Sequence, residues 1–103
     1  MTTFNDRERR FEAEFANNQE LRFKVEAKRD RLVAAWAAEK LGKTGAEVEE
    51  YAKTVIRADL AEPGDEDVFR KLRADLPKEA ASDEEIRQAM KTALAEAMES
   101  MRG

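Results

Sequence analysis

The chain has 103 residues, of which 42% are hydrophobic and 41% are charged. This length suits one domain with one modest core, and the mixture favours long charged surface helices over a disordered chain. The sequence has no Cys and no His, which excludes disulfides, thiolate metal sites and the commonest general base. We therefore expect neither an enzyme nor a metal site, and the net charge of −4 argues against nucleic acid as a partner.

No run of residues is long and apolar enough to span a membrane. The first six residues lead directly into charged residues and do not resemble a signal sequence. The sequence therefore predicts a cytoplasmic protein that does not insert into the membrane. Separately, we expect the free protein to be a monomer.

The first predicted element is an amphipathic helical arm over residues 4–15. Phe4, Phe11 and Phe15 recur at spacings of seven and four, which places the three rings within about 40° of one another on a helix. Core-facing stripes are usually wider than about 100°, so this narrow aromatic stripe favours a groove on a partner protein. The alternative is that the three rings pack on the rest of the chain. Both interpretations are compatible if the arm packs there in the free protein and is released when the protein binds its partner.

The arm is predicted to be separate from the helix that follows it. A continuous helix would place Arg22 on the aromatic stripe and Leu21 about 100° away from it. Asn17 and Asn18 are poor helix formers and lie where the phase must change. We therefore predict two parts, an N-terminal arm over residues 1–19 and a helical domain over residues 20–103.

Three core helices are predicted next. The first runs from about Glu20 to Leu41, and Gly42 follows as its C-cap. Its apolar face comprises Leu21, Val25, Leu32 and Trp36. The second helix begins with a capping box at Thr44 and Glu47 and ends before the Pro-Gly pair that follows it. A third helix is capped by Asp65 or the glycine before it, and a proline ends it.

The fourth core helix has the clearest start. Ser82 and Glu85 form a second capping box, and Ala81 and Ile86 suit a hydrophobic staple. The connections between the helices are short, which favours antiparallel neighbours. The predicted fold is therefore all-α, a small antiparallel four-helix bundle with an N-terminal helical arm.

A row of basic residues on the first core helix is the only candidate small-molecule site that the sequence shows. Arg22, Arg29 and Lys40 lie nearly in line beside Trp36. Their aliphatic stems could cover the edge of the apolar face, or their charges could bind a nucleotide phosphate beside the ring. There is no Gly-rich phosphate loop, so a nucleotide here would be a regulator and not a substrate.

The residues also resemble the alphaproteobacterial zeta subunit family, small inhibitors of the F-type ATP synthase. The matching segments are Phe4–Arg9, Phe11–Glu12, Phe15–Ala16, Leu21–Lys24, Leu32–Glu39, Tyr51–Lys53 and Glu62–Val68. The resemblance implies a four-helix bundle that is peripherally associated with the membrane-bound synthase and requires no cofactor. It also implies ADP or ATP as a regulatory ligand, which we assign to Arg22, Arg29, Trp36 and Lys40.

In the family, the N-terminal segment inserts at a catalytic interface of the synthase head, among the alpha, beta and central-stalk subunits, and blocks ATP hydrolysis. The resemblance therefore implies the following inhibitory residues: Phe4, Asn5, Asp6, Arg7, Glu8, Arg9, Arg10, Phe11 and Phe15. Glu14 and Asn17–Asn18 depart from the family pattern, which bears on inhibitory potency. The alternatives are a nucleotide-sensing bundle without direct inhibition and a helical protein that self-associates through its Phe face.

Overall fold

The structure, a computed structural model, describes residues 17–61 and 65–102. Within these ranges it contains four helices and no strand, which confirms the all-α class. The helices are α1 (Gln19–Lys40), α2 (Ala46–Ala61), α3 (Glu66–Asp75) and α4 (Asp83–Arg102). None of the helices in the described ranges has the length and apolar content needed to cross a membrane.

The predicted end of the first core helix is confirmed at Gly42. This glycine has a φ of +75°, the left-handed conformation that residues with a Cβ rarely adopt. Its N–H donates to the Glu39 carbonyl at 3.1 Å, and the Lys43 N–H donates to the Ala38 carbonyl at 2.9 Å. These two bonds make a complete Schellman motif, so α1 ends in a geometry that requires a glycine.

The two predicted capping boxes differ in the structure. At α4 the box is complete, because the Ser82 N–H donates to Glu85 at 2.8 Å and the Glu85 N–H donates to the Ser82 hydroxyl at 3.1 Å. At α2 only one half is formed: the Thr44 N–H donates to the Glu47 carboxylate at 3.3 Å. The Glu47 N–H donates to the Thr44 carbonyl at 3.2 Å, so the start of α2 is held more loosely.

The helices pack in a ring, since α1 contacts α2 and α4, and α3 contacts the same two helices. Neighbouring helices run antiparallel, because residues near the start of one helix meet residues near the end of the next. The pairs that show this are Val25 with Ala97, Tyr51 with Asp75, and Asp83 with Arg73. The described residues therefore form the predicted small four-helix bundle.

The core is centred on a different face of α1 from the predicted one. Val33 and the small residues Ala34, Ala37 and Ala38 are fully buried, whereas Leu32 and Trp36 are only half-buried. Because α1 lies between α2 and α4, it buries two neighbouring rows of side chains. Small residues in these rows allow both partner helices to approach closely, so the large residues of α1 lie at the edge of the core.

Candidate functional site

The predicted inhibitory residues, Phe4 to Phe15, lie outside the described residues. The structure does show where the helix after them begins. Asn18 has extended backbone angles (φ −112°, ψ 103°), and its side chain accepts a hydrogen bond from the Leu21 N–H at 3.0 Å. The predicted interruption of the helix is therefore present at Asn18, and α1 has its own N-cap. The division into an arm and a bundle domain stays a prediction.

A cavity of about 320 Å³ lies one to three turns after this cap, between α1, the last turns of α2 and Asp65. Its rim is apolar: the Phe23 and Leu60 side chains are 54% and 60% exposed, which is unusual for large apolar residues. Its remaining lining is mainly acidic. The full lining comprises Arg22, Phe23, Glu26, Ala27, Asp30, Ile56, Asp59, Leu60 and Asp65.

Arg29 lies beside this cavity and is almost completely buried, with 1% of its surface exposed. Its Nε donates to Asp30 Oδ1 at 2.7 Å, and its Nη1 donates to Asp65 Oδ1 at 3.1 Å. Its Nη2 lies 3.7 Å from Asp59 Oδ2. One guanidinium thus joins α1 to the end of α2 and to the start of α3.

This network contains more negative than positive charge. It contains four carboxyl groups, two of them nearly buried, and two guanidinium groups. The carboxyl groups belong to Glu26, Asp30, Asp59 and Asp65, and the guanidinium groups belong to Arg22 and Arg29. Burial, together with a hydrogen bond to Asp59, raises the pKa of Asp30 to about 8, and Arg29 offsets this only in part. Burial and the nearby Asp59 also raise the pKa of Glu26. Asp30 therefore keeps its proton near neutral pH, where an ordinary carboxyl group has already released it.

Two buried atoms of the network have no hydrogen-bond partner, Asp30 Oδ2 and Arg29 Nη2. Two carboxylates cannot bond to each other, so Asp30 Oδ2 is satisfied only when a proton lies between Asp30 and Asp59 or when a cation approaches. Within the described ranges, no group of three or more acidic side chains is arranged to hold a metal ion.

The four residues predicted to bind a nucleotide do not converge. Arg22 lines the acidic cavity and pairs with Glu26 at 3.9 Å, and Arg29 is surrounded by the carboxylates of its own chain. Trp36 and Lys40 instead line a second cavity of about 390 Å³ between α1 and α4. The interpretation that aliphatic stems cover the apolar edge is wrong for Arg29, because the guanidinium itself is buried.

The second cavity brings one aromatic ring and one cation together. Lys40 Nζ lies 5.2 Å from the centre of the Trp36 ring, a cation–π contact. Glu85 and Glu96 also line this cavity, so its charges do not favour a polyphosphate. Nucleotide binding stays a prediction, and the geometry divides its proposed residues between two sites.

Sequence reasoning missed the carboxylates around Arg29. The signal was present: Arg29 continues the row of buried residues Val25, Val33 and Ala37 at intervals of four, and Asp30 continues the row of Ala34 and Ala38. Charged residues on buried rows indicate an internal ion pair. The partners Asp59 and Asp65 carry no comparable local signal, because their positions depend on how α2 and α3 pack.

A known protein family matches nearly the whole sequence. The model of the family described as ATPase inhibitor subunit zeta matches residues 1–100. The search of curated proteins found no match to the chain. The match includes both the predicted arm and the four helices of the bundle, and it agrees with the resemblance found in the sequence. The chain belongs to the ATPase inhibitor subunit zeta family.

Proposed function

We propose that this protein inhibits ATP hydrolysis by the F-type ATP synthase by inserting its N-terminal segment, residues 4–15, into a catalytic interface of the synthase head. The observation that carries the proposal is the family match, which begins at residue 1 and so includes this segment. The protein then acts as a regulator without catalysis of its own, and it meets the membrane through the synthase.

The mechanism needs only shape and a few anchors. The catalytic interfaces of a rotary ATPase open and close during each turnover, so a helix held in one interface prevents its closure. Phe4, Phe11 and Phe15 lie on one side of the predicted helix and supply apolar contact. Arg7, Arg9 and Arg10 supply charged hydrogen bonds that fix the register.

The fold of the bundle supports a separate role for the segment. Helix α1 has its own side-chain cap at Asn18, so its start is satisfied within the described residues. The described core lies within positions 25–97 and draws on all four helices. The segment can therefore insert into a partner without unfolding of the bundle.

An alanine series in the segment tests the proposal. We expect F11A and the triple variant F4A/F11A/F15A to raise the concentration needed for half inhibition of ATP hydrolysis by an alphaproteobacterial synthase head. Loss of one buried aromatic anchor costs about 2 kcal/mol or more in typical interfaces, which corresponds to roughly 30-fold. The triple variant is expected to show no inhibition at stoichiometric protein.

Met101→Ala is the matched control, because it removes an exposed apolar side chain from the far end of the chain. We expect M101A to inhibit as the parent chain does. Circular dichroism of each variant establishes that the bundle is folded. Full inhibition by the folded triple variant would show that the aromatic stripe is not the inhibitory element.

A further inference from the structure

The acidic cavity beside α1 carries more negative than positive charge. Asp30 is fully buried, and its Oδ2 has no partner although it belongs to a residue that lines the cavity. Asp59 and Glu26 line the same cavity, and the buried guanidinium of Arg29 already serves three carboxylates. An additional cation bound in the cavity would offset this excess negative charge.

The cavity also has an exposed apolar rim. Phe23 and Leu60 are the two most exposed large apolar side chains in the described part of the chain, and both line this cavity with the half-buried Ile56. A ligand that matches the surface therefore combines a cation with an apolar, preferably aromatic, group. A guanidinium next to a phenylalanine has this chemistry.

The chain contains such groups in the segment that precedes α1 in the sequence. Three arginines lie at positions 7, 9 and 10, and phenylalanines lie at positions 4, 11 and 15. Arg10 and Glu26 are equally far along the chain from Asn18, eight residues on either side. If the segment is helical, as its pattern predicts, a reversal at Asn18 brings Arg10 to the level of Glu26 along α1.

We propose that the N-terminal segment of the same chain docks on the acidic cavity when the protein is free, with an arginine at the Glu26 and Asp59 carboxylates and phenylalanines against Phe23 and Leu60. A docked segment is withheld from other partners. This consequence rests on the proposed function, because it makes docking and insertion into the synthase compete for the same residues.

Paramagnetic relaxation measures the docking directly. The chain has no cysteine, so Ala13→Cys provides a single position for a nitroxide, on the opposite side of the predicted helix from the three phenylalanines. In the full-length chain we expect strong broadening of the Phe23 and Leu60 amide signals. The Glu84 amide, at the start of α4 and beside the other end of α1, is expected to remain sharp. The inference would be overturned if the Phe23 and Leu60 signals were not broadened, or if the Glu84 signal were broadened as strongly as they are.

Charge neutralisation within the segment tests the chemistry. We expect R7Q/R9Q/R10Q, added to the labelled chain, to remove most of the broadening at Phe23. The matched control E8Q/E12Q/E14Q changes as many charges in the same segment and is expected to leave the broadening intact or to increase it. Broadening that survives the arginine substitutions and disappears with the control would contradict the proposed contact.

Mixing experiments identify the occupant. When isotope-labelled chain without nitroxide is mixed with nitroxide-labelled chain without isotope, broadening reports only contacts between molecules. We expect none at Phe23. Broadening in this mixture as strong as within one chain would assign the cavity to a second copy and overturn the inference.

The consequence for inhibition is tested with F23S/L60S, which weakens the rim and leaves the buried core intact. We expect the half-inhibitory concentration against the synthase head to fall about 3- to 10-fold, as for release of a segment that is about 70–90% docked. An unchanged value would refute the competition. Absence of inhibition by any variant would refute the proposed function instead, and the relaxation result would stand independently.

Discussion

Arg29 is the residue on which the packing of three helices depends. Its guanidinium joins α1 to Asp59 near the end of α2 and to Asp65 at the start of α3. Asp65 also occupies the N-cap position of α3, but its side chain makes no capping bond. Its carboxylate bonds to Arg29 instead, which exchanges a local cap for a contact between helices.

Removal of the Arg29 charge is expected to destabilise the bundle strongly. Arg29→Met keeps most of the side-chain volume but leaves Asp30 and Asp59 without a cation, which typically costs about 3–5 kcal/mol. Arg22→Met is the control, because Arg22 is half-exposed and lies 3.9 Å from Glu26, and such pairs contribute less than about 1 kcal/mol. Urea unfolding measures both. If the free energy of unfolding fell no more in R29M than in R22M, the result would contradict the network described above.

The Asp30–Asp59 pair predicts an unusual dependence of stability on pH. Because burial raises the pKa of Asp30 to about 8 in the folded chain, the folded state holds a proton that the unfolded state releases near its ordinary value of 3.8. The stabilisation is therefore complete below about pH 4 and is lost as the pH rises towards 8. The raised pKa of Glu26 acts in the same direction.

Asp30→Asn tests this dependence, since the amide can donate to Asp59 and accept from Arg29 as the protonated acid does. We expect the free energy of unfolding of the parent chain to decrease between pH 5 and pH 8, and that of D30N to decrease less. The lowered pKa values of Glu66 and Glu85 act only below their ordinary value of 4.5, outside this range. Parallel curves for the two chains would show that Asp30 does not hold the proton.

At the scale of the helices, the ends are defined by local sequence, and they were predictable for that reason. The Gly42 cap and the Ser82–Glu85 box use bonds between residues three to five positions apart. The buried face of α1 was less predictable, because it depends on two neighbouring helices. Trp36 was predicted to face the core because of its spacing from Val25 and Leu32, yet Ala37 and Ala38 occupy the centre.

The two capping boxes are expected to contribute differently to the free energy of unfolding. Ser82→Ala removes a hydroxyl that accepts from the Glu85 N–H, and such losses cost about 1 kcal/mol. At Thr44 it is the backbone carbonyl that accepts from Glu47, so Thr44→Ala is expected to cost less than about 0.5 kcal/mol. Chemical denaturation of the two variants makes the comparison. A larger loss of unfolding free energy in T44A than in S82A would contradict the observed hydrogen bonds.

At the scale of the whole molecule, the sequence was most informative about the class of fold and the family. Periodicity and caps indicated four helices, and ordered motifs from Phe4 to Val68 indicated the family that the comparison confirms. The acidic cavity was not predictable, because it forms only where α1, α2 and the start of α3 meet. The proposed nucleotide residues failed to converge for the same reason: a line along α1 extends past two different partner helices.

The central claim is that the bundle carries a segment that inhibits the synthase. The most direct measurement is ATP hydrolysis by a purified alphaproteobacterial synthase head with the full-length chain and with residues 17–103, each added at a stoichiometric amount. We predict that the full-length chain suppresses hydrolysis, whereas residues 17–103 remain folded by circular dichroism and do not inhibit. Equal suppression by the two chains would place the inhibitory surface on the bundle and contradict the account.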